Sequence, residues 1–281
     1  MEGQYIGSVV GDSPGAICVD IDRVGAFLTG SATFVPKNHL LPGTCAKFPR
    51  FRIEPKISFS CPILPIQRDG REIPNSELQN SFPDTQHANI AEVEMNFVEG
   101  GLNFSYSTDI GVKGSGTLTI SAADTPSDLE VDQKVQSWSE FKNLMTNSNL
   151  DGWIFRGQST QHRLRTSFHR TNRKDLVRYV DEDIPELTRH FSDKEGSRFE
   201  TAEDIGAFLN RLQHHGYPTP ILDWTSSPWV AAFFAFRSPT EGSSDKTRIF
   251  LFNFERWEAD MPQFPFVSRV PIHLSHLRLG A

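Results

Sequence analysis

Ala91-Glu92-Val93-Glu94-Met95-Asn96-Phe97, then Glu99-Gly100-Gly101, then Leu102-Asn103-Phe104-Ser105-Tyr106: apolar and polar residues alternate on both sides of a glycine-bearing turn. Successive side chains of a strand point to opposite faces, so each run has one face to bury and one to solvate, and the turn joins them as an antiparallel hairpin. The same period of two runs through Ala16-Ile17-Cys18-Val19-Asp20-Ile21 and Gly116-Thr117-Leu118-Thr119-Ile120. Cys61-Pro62-Ile63-Leu64-Pro65 is apolar, but proline has no ladder donor, which predicts a loop or an edge strand. Residues 1–123 therefore read as a β-rich domain, an antiparallel sandwich or open barrel, of the kind that serves as a sensor or binding module. No catalytic constellation is visible within it.

A small-residue, proline-containing stretch, Ala122-Ala123-Asp124-Thr125-Pro126-Ser127-Asp128, follows, and residues 124–134 are read as a linker. Beyond it the texture changes, and 135–281 reads as a second, α+β domain with a mixed sheet and helices. Ser137 and Glu140 form a capping box that opens a helix with Trp138, Phe141, Leu144 and Met145 on its apolar side. Trp153-Ile154-Phe155 is a short buried strand with Arg156 and Gly157 at its end. Residues 175–191 are charged and amphipathic, with Leu176, Tyr179, Val180 and Leu187 facing inward and a break or new helix start at Pro185. The helix over 201–215 stops at Gly216, where a C-cap is expected. Ile221-Leu222 reads as a strand running into Asp223, and Thr225, Ser226 and Ser227 cap the apolar run from Trp229 to Phe236, which is taken as core. Arg248 to Phe254 is a further apolar strand, and Glu255 follows it.

At 281 residues the chain exceeds the usual single domain, and 37% apolar residues with 22 Phe and 5 Trp can fill two cores. The net charge is −7, six of which fall in the first 128 residues. That balance argues against nucleic acid or an anionic membrane as the main partner. Cys18, Cys45 and Cys61 lack CxxC spacing, and the start of the chain has no secretory pattern, which fits a reduced cytoplasmic setting. No run approaches the length of a membrane span. His214 and His215 are adjacent, point about 100° apart on a helix, and have no companion ligand at metal spacing, so no metal is expected.

Three ordered motifs give the second half a family likeness. Phe155-Arg156-Gly157, then Leu164-Arg165-Thr166-Ser167-Phe168-His169-Arg170, then His215-Gly216 through Pro218-Thr219 to Leu222-Asp223-Trp224-Thr225 resemble the FRG domain, named for its Phe/Tyr-Arg-Gly motif. The likeness covers about residues 130–281. Arg278-Leu279-Gly280-Ala281 looks like the start of an Arg-x-x-Ala-Gln-x-Gly segment that the family continues, so a truncated C-terminus is expected.

Two readings of function stand side by side. An early strand ending in Arg and a later one ending in Thr/Ser is similar in layout to the ADP-ribosyltransferases. Under that likeness Arg156, Gly157, Arg165, Ser167, Arg170, Thr225 and Ser226 would hold NAD as substrate. Asp223, Glu255 and His215 would be the catalytic candidates, since an oxocarbenium-like transition state wants a carboxylate beside the ribose. The alternative is a non-catalytic module that binds a phosphorylated nucleotide or a protein partner, whether target or regulator. A bacterial defence role, with the β-rich half restraining a toxic effector half, would unite the two. Taken one at a time the same residues have plainer uses: Arg156 as an ion-pair partner of Asp223, Asp223 and Thr225 as helix caps, His215 as a helix-end residue facing the dipole.

Overall fold

The computed structural model describes residues 1–67, 72–83, 85–121, 125–171, 173–195, 202–237 and 247–256. The first elements in chain order are β1 (Gly3–Gly11), β2 (Gly15–Val24), β3 (Phe27–Pro36), β4 (Gly43–Lys47), β5 (Phe51–Arg52), β6 (Lys56–Ile66), α1 (Asn75–Ser81), β7 (Ile90–Val98), β8 (Gly101–Thr108) and β9 (Lys113–Ile120). They are followed by α2 (Trp138–Asn147), β10 (Trp153–Gln158), a 3-10 turn (Phe168–Arg170), α3 (Leu176–Arg178), a π turn (Tyr179–Asp183), α4 (Ile184–Glu195), α5 (Ala202–His214), α6 (Pro228–Phe236) and β11 (Arg248–Asn253). Contacts divide the described chain into two compact units, one of 1–121 with 166–221 and the other of 125–165 with 222–256. The segment 166–221, which sequence texture places in the second half, is thus grouped with the β-rich half. Of the expected linker 124–134, residue 124 lies outside the described residues.

In the first unit the strands run β2-β1-β9-β8-β7-β6-β4-β3, and β2 pairs β3 from Gly15↔Pro36 to Val24↔Phe27. That last pairing closes an eight-stranded antiparallel barrel: the expected antiparallel β-domain is present, as a barrel that is closed where an open one was expected, and not as a sandwich. A sequence that alternates cannot distinguish these shapes, because each buries one face per strand. The hairpin is as read, with Val98↔Gly101 the last pair and Gly100 at φ 71 in the turn. Gly101 itself is strand.

β6 corrects the reading of Cys61 to Pro65. It is neither loop nor edge: residues 56–62 pair with β7 and residues 63–66 with β4. Changing partner between the two prolines lets the strand lose ladder donors without leaving the barrel.

The barrel's outer face is not all solvated. Val19 and Ile21 point inward, so Asp20 and Asp22 of β2 point out, yet Asp22 is fully buried and Asp20 nearly so. Asp22 accepts the backbone N–H groups of Lys174 and Asp175, Asp175 accepts the Ser31 hydroxyl at 2.7 Å, and Lys47 meets Asp181 at 2.9 Å. Residues 173–181 are thereby tied to β2, β3 and β4. Burial raises the carboxyls of Asp22 and Asp175 above their ordinary range, and pushes Asp20 up to about 7 against the donated bond from Gln4. Tyr179 is buried, whereas Val180, expected inward, is exposed because the π turn rotates it out. Pro185 is the second residue of α4, which continues directly from the π turn, so the expected break is a change of helical winding and not an end of the helix.

The second unit holds α2, β10, α6 and β11. β10 and β11 form a two-stranded antiparallel ribbon from Trp153↔Asn253 to Gln158↔Arg248, so among the described residues the expected mixed sheet is not formed. Ile221 and Leu222 are not strand either, and only Thr225 pairs, by a single bridge to Phe155. The capping box is present: Ser137 Oγ accepts the Glu140 N–H, and Glu140 accepts the Ser137 hydroxyl and the Gln136 N–H. Phe141, Met145, Phe155, Ala231 and Ala232 make the core.

The run Trp229 to Phe236 is only half core. Ala231, Ala232 and Ala235 are buried, while Trp229, Val230, Phe233, Phe234 and Phe236 are exposed. The reason is spacing. Alanines at 231, 232 and 235 form one helical stripe against β10, and a helix packed through so narrow a stripe leaves its other positions outside.

Candidate functional site

Each residue of Phe155-Arg156-Gly157 has a distinct place. Phe155 is fully buried on the α6 side of β10, and its backbone exchanges both hydrogen bonds with Thr225, at 2.7 and 2.9 Å. Gly157, two residues on, faces the same helix. A Cβ there would stand 1.8 Å from the Ala231 carbonyl oxygen and 2.6 Å from the Ala235 nitrogen, so only glycine lets the strand lie against α6. Arg156 points to the other face of the ribbon and donates from Nη1 to the backbone carbonyl of Asp223 at 2.6 Å. The guanidinium is thus anchored to the Asp223 main chain, and the Asp223 side chain is exposed.

Thr225 and Ser226 share that junction. Thr225 Oγ1 accepts the Ser227 N–H at 3.1 Å, and Ser227 is the residue that caps α6, accepting from Val230 ahead of Pro228 at the first helical position. Ser226 is exposed. Arg156, Gly157, Asp223, Thr225 and Ser226 are therefore brought together where β10 meets the start of α6.

Glu255 is not brought to that point. Arg156 lies opposite Phe250, and three ladder steps of roughly 3.4 Å each separate Phe250 from Asn253 before Glu255 is reached. The exposed Glu255 side chain packs on Gly152, where an added Cβ would be 2.7 Å from its Cδ. Arg165 is half-buried.

The remaining candidates belong to the first unit. Ser167 and Thr219 hydrogen-bond in both directions, the hydroxyl of Ser167 donating to the Thr219 carbonyl at 3.1 Å and accepting its N–H at 2.9 Å. Thr219 is fully buried and donates to Gln213 Oε1 at 2.6 Å. This pair of motif residues closes a loop. Arg170 is exposed in the 3-10 turn. His215 is exposed at the end of α5, where Gly216 at φ 80 and the Tyr217 N–H bonded to the Leu212 carbonyl terminate the helix as expected. Among the described residues no group of three or more His, Cys, Asp or Glu is arranged to hold a metal ion.

Sequence reasoning passed over Gln158. It is buried at the end of β10 and donates to the His162 carbonyl at 2.8 Å and to Thr160, shaping the loop between the first two motifs. Its position on the face shared with Arg156 was the available signal. The aromatic side of α6 was also missed. Trp138, Trp229, Ala232, Phe233, Phe236 and Arg237 line a shallow apolar depression, and the Arg237 guanidinium lies 5.8 Å from the Phe233 ring centre.

Residues 151–244 match the family model of the FRG domain. The chain carries an FRG domain. The match is narrower than the span of about 130–281 expected from the motifs, and it contains all three of them. It opens just before β10 and includes the whole of α6, the two elements that Gly157 joins. Arg278–Ala281, read as an interrupted family segment, lie outside the described residues. No curated protein and no solved structure matches the chain. No helix among the described residues is long and apolar enough to cross a membrane.

Proposed function

We propose that the FRG domain is a non-catalytic protein-recognition module whose contact surface is the aromatic side of α6. The supporting observation is the exposure of Trp138, Trp229, Phe233, Phe234 and Phe236 on one unit, all of them but Phe234 lining one depression together with Arg237. Contiguous exposed aromatic area marks interaction sites, and tryptophan and arginine anchors concentrate binding energy at interfaces. The partner chemistry that fits is a polypeptide segment presenting apolar side chains to the depression and a carboxylate to Arg237. In this reading Arg156 and Gly157 build the platform: one fastens β10 to Asp223, the other seats α6.

A second reading keeps NAD as substrate. What favours it is the meeting of Arg156, Asp223 and Thr225 at one strand–helix junction. Its carboxylate would be Asp223, since Glu255 stands at the other end of the ribbon, and an effector role restrained by the barrel goes with it. Incubating the full-length chain with NAD separates the readings. Recognition without turnover gives no nicotinamide above the buffer rate, and a Phe233→Asp/Phe236→Ser variant that folds normally but loses its protein partner. Nicotinamide release that vanishes in Arg156→Ala would replace the first reading by the second.

A further inference from the structure

The interior of the barrel is filled unevenly. At one end Ile21, Leu28, Leu102 and Leu118 are completely or almost completely buried and pack the lumen solid. At the other, the inward positions carry small side chains, Ala32 on β3, Thr44 and Ala46 on β4 and Ala91 on β7, and a cavity of about 320 Å³ remains among them. Eight-stranded barrels are just wide enough either to be filled by side chains or to hold one small ligand, and here the alanines decide for the second. Phe34, Phe48, Met95 and Phe104 give the walls aromatic and thioether surface. The mouth is bordered by the β1–β2 turn at Asp12 and Ser13, by Leu41 and Pro42, by residues 85–88 and by the β8–β9 turn at Ile110 and Val112.

The polar groups on the lining specify what could enter. Among the described residues no Lys or Arg lines the cavity, and the one carboxylate found there, Asp12, already accepts the Lys113 N–H at 2.8 Å. His87 reaches the lining beside Thr44, with Nε2 and Oγ1 3.4 Å apart. Burial lowers the His87 pKa, so its imidazole is neutral at pH 7 and offers one donor and one acceptor but no charge. An anionic head group would be desolvated here without a cationic partner, whereas a hydroxyl, carbonyl or amide would find His87 and Thr44.

We infer that the barrel is a binding site for an uncharged, largely apolar small molecule of one or two rings, with a single hydroxyl, carbonyl or amide group placed at His87 and Thr44. The size follows from the volume: about twice the ~150 Å³ of a dry cavity that takes benzene. This site is separate from the recognition surface of the FRG domain and does not depend on that reading.

The experiment is a fluorescence titration of the full-length chain with N-phenyl-1-naphthylamine, a neutral probe, displaced by 1-naphthol or by 1-naphthoate. The two competitors share a ring system and differ in charge. Saturable one-to-one binding is expected, with 1-naphthol displacing the probe at least tenfold more effectively than 1-naphthoate. Ala46→Trp fills the cavity and should weaken probe binding tenfold or more while the thermal transition of the barrel persists. Ala91→Leu does the same with a smaller side chain should the tryptophan prevent folding. Phe233→Asp, on the exposed aromatic surface, should leave probe binding unchanged. Failure of the full-length chain to bind the probe, unchanged binding in the filled variants, or equal competition by the naphthoate would overturn the inference.

Discussion

Replacing Gly157 by alanine adds one methyl group at the closest approach between β10 and α6. The new Cβ would lie 1.8 Å from the Ala231 carbonyl oxygen and 2.6 Å from the Ala235 nitrogen, and both are main-chain atoms of a helix that cannot rotate away. To restore an ordinary contact the helix must retreat by roughly 1.5 Å, and a gap of only 0.5–1 Å already forfeits a quarter to a half of each dispersion contact. Phe155, Ala231 and Ala232 would all lose packing together. Overpacking usually costs about 1–3 kcal/mol, and with backbone on one side of the clash about 3 kcal/mol or more is expected. For a unit of this size that lowers the thermal midpoint by roughly 12 °C or more. The assay is selective, because all five tryptophans fall at 138, 153, 224, 229 and 257, and none lies in 1–121 or 166–221. Tryptophan emission therefore reports the unit built around Gly157. A Gly157→Ala chain melting within 2 °C or so of the parent by this signal would refute the close-approach argument.

Other expectations concern charge. Asp20 has a folded pKa raised from 3.8 to about 7 by burial, so the stability it contributes is present below about pH 4 and is lost as pH rises through 7. Asp20→Asn should flatten that decline relative to the parent and stabilise the barrel at pH 8 by at most about 4 kcal/mol, three pKa steps at about 1.36 each, read by urea melts across pH. Asp22→Ala removes the acceptor of two backbone N–H groups, at a cost of about 1–3 kcal/mol for each group left unsatisfied, visible as a lower urea midpoint. Arg156→Lys keeps the charge but loses the planar fork, and by holding β10 less firmly to Asp223 it should destabilise the tryptophan-reported unit by about 1 kcal/mol or more.

Much of the fold was legible where local chemistry acts alone. The 91–106 hairpin, the Ser137 capping box and the Gly216 helix end each depend on residues a few positions apart, and the structure has all three. Closure of the barrel was not legible, because the β2–β3 pairing uses the same alternation an open sheet would. Nor was the burial of Asp22: an outward Asp on a strand reads as solvated until a segment 150 residues away covers it. Proline misled in β6 because its effect depends on which neighbour is present at each residue. At the site, the three motifs stood out in sequence, but their first structural duties did not. Gly157 reads as room for a ligand and is room for a helix, while Ser167 reads as a phosphate donor and ties down Thr219. The aromatic run 229–236 was taken as core since composition alone does not reveal that three alanines suffice to seat the helix.

The most direct measurement places a photo-crosslinking phenylalanine analogue at position 233 of the full-length chain in its native host, with a second chain carrying it at the exposed position 113 on the barrel. A protein-recognition surface on α6 predicts one discrete protein adduct from position 233 that is absent from position 113 and lost on adding Phe236→Ser. No adduct from 233, or the same adducts from both positions, would contradict it.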